Sequence, residues 1–110
     1  MINFSGYNEN VVTFAVDDST VLMGTPVKMT SSKTVGACSD GDTMIGVAVN
    51  VRNGYAAVQL TGYIEMPTDE ELTVGYNTLC AAQGGKIKSS ENGREYLVAY
   101  VDSDIAGIIL

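Results

Sequence analysis

The sequence has no histidine and no tryptophan, and among its 110 residues only two are cysteine, two proline and two phenylalanine. Without histidine there can be no Ser-His-Asp or Cys-His nucleophile, no imidazole general base and no zinc centre of the usual His-containing kind. Positive charge is scarce as well: six Lys and Arg face thirteen Asp and Glu, a formal net charge of −7. That sign excludes binding that works by neutralising phosphates, so neither nucleic acid nor an anionic membrane surface is an expected partner. No apolar run approaches the roughly 18 residues a spanning helix requires. The first residues, Met1 to Tyr7, lack the basic and apolar regions of a signal peptide, and the expected compartment is a reducing cytoplasm.

The two cysteines, Cys38 and Cys80, do not form a Cys-x-x-Cys pair. Free cysteine behaves as a small, buried hydrophobe, and that is the expected role of both. Few basic residues lie near them in sequence, so neither thiol is expected to be activated.

What the chain does have is β-branched residues and turns. It is 45% hydrophobic, only 17% charged, and carries 12 glycines. Val11 to Val16 is β-branched and aromatic, and Val27 to Thr30 alternates apolar and polar positions. Thr43 to Val51 places Ile45, Val47, Val49 and Val51 on one side. Asn53-Gly54 then separates it from a return strand running from Ala56 to Met66. Asn-Gly between two such runs is the strongest short hairpin signal, because both central residues of a type I′ turn need positive φ. Leu79–Ala82, Lys86–Lys88, Glu95–Asp102 and Ile105–Leu110 read as four further strands, punctuated by Gly84-Gly85, Asn92-Gly93 and Asp102-Ser103-Asp104. Thr68-Asp69-Glu70-Glu71-Leu72 is the one acidic cluster, and its Thr-then-acid order predicts a short helical turn. The expected class is all-β: a small barrel or sandwich of eight or nine short strands. Residues 1–10 read as an extended N-terminal arm ahead of one barrel-like domain over 11–110.

The order of elements recurs. Gly24-Thr25-Pro26-Val27 opens a strand, a turn, a short strand, a Gly-containing loop, a long strand, a tight turn and a strand ending at Leu60. Gly75-Tyr76-Asn77-Thr78 opens the same succession, which ends at Leu110. Asp40-Gly41-Asp42 matches Glu91-Asn92-Gly93, and Val58 and Leu60 match Ile108 and Leu110. This predicts a duplicated four-strand unit, related by a pseudo-two-fold, in which each half exposes an apolar face that the other covers.

Candidate chemistry is thin. Paired carboxylates occur at Asp17/Asp18, Asp40/Asp42, Asp69/Glu70/Glu71 and Asp102/Asp104, but none supplies the six to eight oxygens that calcium needs. Gly84-Gly85-Lys86 lacks the remaining elements of a P-loop. Val27-Lys28-Met29 faintly resembles the lysine site of biotin- and lipoyl-carrier domains, but Thr25-Pro26 makes Lys28 a strand residue. No catalytic set, metal site or cofactor is expected. Phe14, Tyr63 and Tyr100 are expected in the core or at a barrel edge. Ile2, Phe4 and Tyr7 are apolar anchors in a polar arm, which either frays or docks on a partner as an added strand.

The run from Val12 to Pro67 resembles small prophage-encoded head decoration, or capsid cement, proteins. The resemblance rests on an arm, a Gly-Thr-Pro-Val lead-in to a strand, a Gly-Asp…Ile-Gly-Val step, and the strand Gly54-Tyr55-Ala56-Ala57-Val58-Gln59-Leu60-Thr61-Gly62-Tyr63. The likeness extends from Val11 to Leu110. It implies a non-enzymatic protein, made in the bacterial cytoplasm and carried on the virion surface, whose partner is the major capsid protein of a phage head. It also implies a homo-oligomer, most simply a trimer, with Ile2, Phe4 and Tyr7 of the arm contacting the capsid or a neighbour. Two other readings stay open on the residues alone. One is a small β-barrel enzyme or ligand binder using Asp40, Asp42, Asp102 or Asp104; the other is a tail or baseplate component.

Overall fold

The computed structural model of the chain describes residues 9–17 and 20–110, and none of these is helical. The strands are β1 (Asn10–Val16), β2 (Pro26–Ser31), β3 (Thr34–Ala37), β4 (Gly46–Arg52), β5 (Tyr55–Thr61), β6 (Tyr63–Pro67), β7 (Gly75–Ala82), β8 (Lys86–Ser89), β9 (Arg94–Asp102) and β10 (Ile105–Ile109). The all-β class is as the residue pattern predicts. The Asn-Gly hairpin is present: Asn53 and Gly54 adopt φ of 51° and 82°, and Arg52 pairs with Tyr55.

There are ten strands rather than eight or nine, because the long return strand is broken. Gly62 has φ of 97°, a value that glycine alone adopts without strain. Its buried position turns the chain out of one sheet, ending β5, and into the next, starting β6. The helical turn expected over Thr68–Leu72 does not form. Thr68 instead bridges Ile87 in parallel, and the Asp69 amide donates to the Ile87 carbonyl at 3.0 Å.

The two sheets are copies of one topology. β1-β3-β2-β4-β5 closes into a barrel, and β6, β8, β7, β9 and β10 repeat that order in a second five-stranded sheet. The register repeats with it. Val12 opposite Val58 recurs as Ile64 opposite Ile108, and Phe14 opposite Ala56 recurs as Met66 opposite Ala106. Val27 opposite Ala37 recurs as Leu79 opposite Ser89, which places the true repeat in β7 one residue beyond the Val27–Thr78 match read from sequence. Val58 and Ile108 match as predicted. A bulge leaves Val49 unpaired in the first hairpin and Ala99 in the second. The parallel closure also recurs. The Asp17 amide donates to the Val35 carbonyl at 2.9 Å, as Asp69 does to Ile87. A one-residue bulge, a hairpin and a parallel closure at matching places do not coincide by composition alone, so the duplicated unit has five strands, not four.

The first half closes around its own interior, whereas the core of the second also takes in Met44 and Val47 from the first. Val21, Val27, Val35, Ala48, Ala56 and Val58 fill the first. Leu72, Leu79, Ile87, Val98, Ala106 and Ile108 fill the second, joined by Met66 and Tyr96. At matching positions the second set is larger: Leu79 for Val27, Ile87 for Val35, Val98 for Ala48 and Ile108 for Val58. Larger interior side chains spread a small sheet. The first barrel accordingly closes over two parallel pairs, whereas the second has a single bridge. The radius of gyration, 13.1 Å, is what a compact chain of this length gives, so the halves pack as one body.

Two stability predictions follow from the duplication. Thr68 takes the place that Val16 holds in the first half, and its hydroxyl is buried without a partner. Thr68→Val should therefore raise stability by about 1 kcal/mol, since an unsatisfied buried hydroxyl is costly. Ile108→Ala, at a fully buried site, should cost about 2–5 kcal/mol. Thermal denaturation reads both: a lowered Tm for Thr68→Val, or an unchanged one for Ile108→Ala, would contradict the packing described.

Candidate functional site

Ile2, Phe4 and Tyr7 lie outside the described residues. The feature that the structure itself brings forward is the junction between the two halves, built by the loop from Cys38 to Ile45 that joins β3 to β4. β9 pairs with β7 only over Gly75–Leu79, which leaves the edge of β7 beyond Leu79 open. The loop fills it. The Gly41 amide donates to the Ala81 carbonyl at 2.8 Å, and the Ala81 amide donates to the Asp42 carbonyl at 2.9 Å. Gly41 has φ of 89°, which glycine supplies at little cost. Met44, 1% exposed, then enters the core of the second half, where the Tyr96 hydroxyl donates to its carbonyl at 3.3 Å. The Arg94 guanidinium sits 5.0 Å from the Tyr96 ring centre and fixes that ring from outside.

The loop carboxylates hold this arrangement. Asp42 Oδ2 accepts from Lys28 Nζ at 2.7 Å and from the Ser39 amide at 2.8 Å. The Lys28 hydrogen bond, then the Ser39 amide, hold the Asp42 carboxyl below the usual carboxylate range. The same bond to Asp42 raises Lys28. Asp40 receives both of its hydrogen bonds from Lys88 Nζ, each at 3.0 Å, tying the loop to β8. Glu70 makes a parallel fastening. Its carboxylate accepts from the Ser89 hydroxyl at 2.7 Å and the Ser89 amide at 3.0 Å, contacts that lower its pKa.

The other predicted residues fall as follows. Lys28 is a strand residue, as expected from Thr25-Pro26, and is bound to Asp42. Cys38 and Cys80 are free thiols, half-buried and buried respectively. Burial, followed by the charge of Asp42, pushes the Cys38 thiol up to about 11. Tyr63 is buried and lies across Gly107, where any side chain would meet its ring. Its hydroxyl donates to Glu65 at 2.9 Å, and burial ahead of that bond raises it to about 12. Phe14 packs against the first core, and Tyr100, on β9 opposite Gly107, is exposed. No three His, Cys, Asp or Glu side chains among the described residues are grouped to hold a metal ion.

Beside the junction lies a cavity of about 240 Å³ lined by Leu22, Thr25, Pro26, Ala37 and Cys38 from the first half and Gly84-Gly85 from the second. At the matching place on the second half, Thr78, Ser89, Ser90 and Glu91 line an open depression. Among the described residues, the four most exposed large apolar side chains flank the entrances to β2 and β7: Leu22 and Met23 before Gly24, and Val74 and Tyr76 on either side of Gly75. Sequence reasoning missed Met44 and the Asp40–Lys88 tie. Their only trace is in the duplicate comparison, where an apolar Met44 stands beside the polar loop of one repeat and Arg94 beside that of the other. No protein-family model matches the sequence, and no curated protein is found similar to it.

The Asp42 fastening gives a pH dependence whose sign is fixed. A carboxyl with a depressed folded pKa contributes stability that is present above its unfolded value and lost as pH falls through the folded one. Asp42→Asn should lower Tm at pH 7, and the gap to the unmodified chain should close below about pH 4. A gap that persists unchanged at pH 3 would show that the charge is not what Asp42 supplies.

Proposed function

We propose that this chain is a structural protein of a phage head, binding the outside of the assembled capsid and stabilising it without catalysing a reaction. The observation that carries the proposal is the resemblance of Val11 to Leu110 to head decoration proteins. In this reading the partner is the major capsid protein, the chain acts as a homo-oligomer (a trimer by the resemblance), and it resides on the virion surface after synthesis in the bacterial cytoplasm. Three features support it. The loop acids Asp40, Asp42 and Glu70 are engaged in holding the fold, which leaves them poorly placed as reagents. Leu22 and Met23, and Val74 and Tyr76, stand exposed beside the entrances to β2 and β7, where they can meet a partner. A compact body of one barrel and a second five-stranded sheet also suits cement, which adds contact area across capsomer joints and acts through many modest bonds at once.

The test is direct. Purified chain mixed with undecorated heads of the cognate phage should bind to saturation and raise the temperature at which the heads open. Absence of binding would overturn the proposal. β1 already begins at Asn10, which pairs with Thr61, so deleting residues 1–9 should weaken that binding while leaving the Tm of the free protein nearly unchanged. A large fall in Tm instead would make the arm part of the fold rather than a contact.

A further inference from the structure

The junction between the halves is one-sided. The first half contributes a loop and the face beside it: Leu22, Thr25, Pro26, Ala37 and Cys38. The second contributes an open strand edge at Ala81, the Gly84-Gly85 turn and Lys88. Two copies of one unit joined through unlike surfaces leave one surface of each kind unmatched. Such a heterologous contact, repeated between molecules, links them head to tail.

Both unmatched surfaces can be located from the register. The first half's counterpart of the β7 edge and turn is the β2–β3 hairpin. Met29 stands opposite Val35 as Ala81 stands opposite Ile87. β4 pairs with β2 only at Pro26 and Val27, so the edge beyond is open just as that of β7 is. Where Ala81 is fully buried against the loop, Met29 is 44% exposed. At the turn, Lys33 has φ of 57° and matches Gly85, whose φ is 79°. The second half's counterpart of the receiving face is the entrance to β7 with the loop after β8. It carries Tyr76, 72% exposed, and Val74, 68% exposed, beside Thr78, Ser89, Ser90 and Glu91.

We infer that these two surfaces join between molecules: the β2–β3 hairpin of one copy, led by Met29 and Lys33, packs on the Val74–Tyr76 and Ser89–Glu91 face of a second copy, giving a closed homo-oligomer. Two arguments favour a second copy as occupant. The contact continues an interface that the chain already makes within itself. The charges also agree in sense. Inside the chain, the cation Lys88 lies on the edge-bearing side and the acid Asp40 on the loop side. Between chains, Lys33 lies on the edge-bearing side and Glu91 on the loop side, and both are exposed. The loop after β8 is shorter, and its last residues Arg94 and Glu95 are drawn into β9 against Leu79 and Thr78. The contact between chains therefore rests on the side chains Met29, Tyr76 and Val74 and on the Lys33–Glu91 pair, rather than on a full copy of the Cys38–Ile45 loop. Methionine and tyrosine are residues that interfaces favour. The inference rests on the homo-oligomer of the proposed role, for which it names the joining surfaces, and its test needs no capsid.

Sedimentation of the whole chain tests it. The unmodified protein should run as one species whose mass is at least twice the 11.6 kDa of one chain. Lys33→Glu and Glu91→Lys, each on an exposed side chain, should each weaken association by at least about tenfold. The double variant Lys33→Glu/Glu91→Lys should regain most of that loss, because the pair is restored with its signs exchanged. Far-ultraviolet circular dichroism and Tm confirm that each variant is folded. A monomer at all concentrations up to about 100 μM, well above the micromolar affinities of weak specific contacts, would overturn the inference. So would single variants that associate like the unmodified chain, or a double variant with no recovery.

Discussion

Two backbone hydrogen bonds, joining Gly41 and Asp42 to Ala81, are the contacts on which the rest of the molecule depends. A five-stranded unit of this size encloses a small interior, and small cores yield little net stability. Its sheet also has an edge that its own strands do not cover. In the second half that edge is covered by the first half's loop. Met44 follows the loop into the second core, and the Lys28–Asp42 and Lys88–Asp40 pairs tie the middle of the loop to β2 and to β8. The surface ion pairs are each worth little alone. Their value lies in restricting a loop whose backbone then completes a sheet and whose side chain completes a core. Two marginal five-stranded units thereby become one body.

Much of the fold was legible in the sequence, for physical reasons that can be named. The Asn53-Gly54 hairpin was readable because positive φ at two successive positions admits few residues. The duplication was readable because Val58 and Leu60, and Ile108 and Leu110, obey the same alternation after similar turns. Other features were hidden. Gly62 looked like a strand glycine, since the alternation of Ala56 to Met66 continues through it unbroken, and only its backbone angle shows the change of sheet. Thr68 to Leu72 carried a helix-start signal, but the side chain of Glu70 is taken by Ser89, the Thr68 amide by the Asp104 carbonyl and the Asp69 amide by the Ile87 carbonyl. Tertiary pairing outweighed a local preference worth less than one turn of helix.

The candidate site was less legible than the fold. Acidic residues in glycine-containing turns look alike whether they are solvated or fasten two halves together. What distinguishes Asp40 and Asp42 is the approach of Lys88 and Lys28 from other strands, and no local pattern encodes it. Under the proposed role, these acids explain how a chain with a net charge of −7 spends part of that charge internally. The contact surface is then left to apolar side chains such as Leu22 and Met23.

The central claim is that the chain is a duplicated five-stranded unit whose halves are locked by the loop on the β7 edge. Native-state hydrogen exchange at the Gly41 and Ala81 amides tests this most directly. If the account holds, both exchange only with global unfolding, as slowly as the core amides of Val58 and Ile108. Exchange of these two amides at the rate of an open surface loop, while the barrel interiors stay protected, would contradict it.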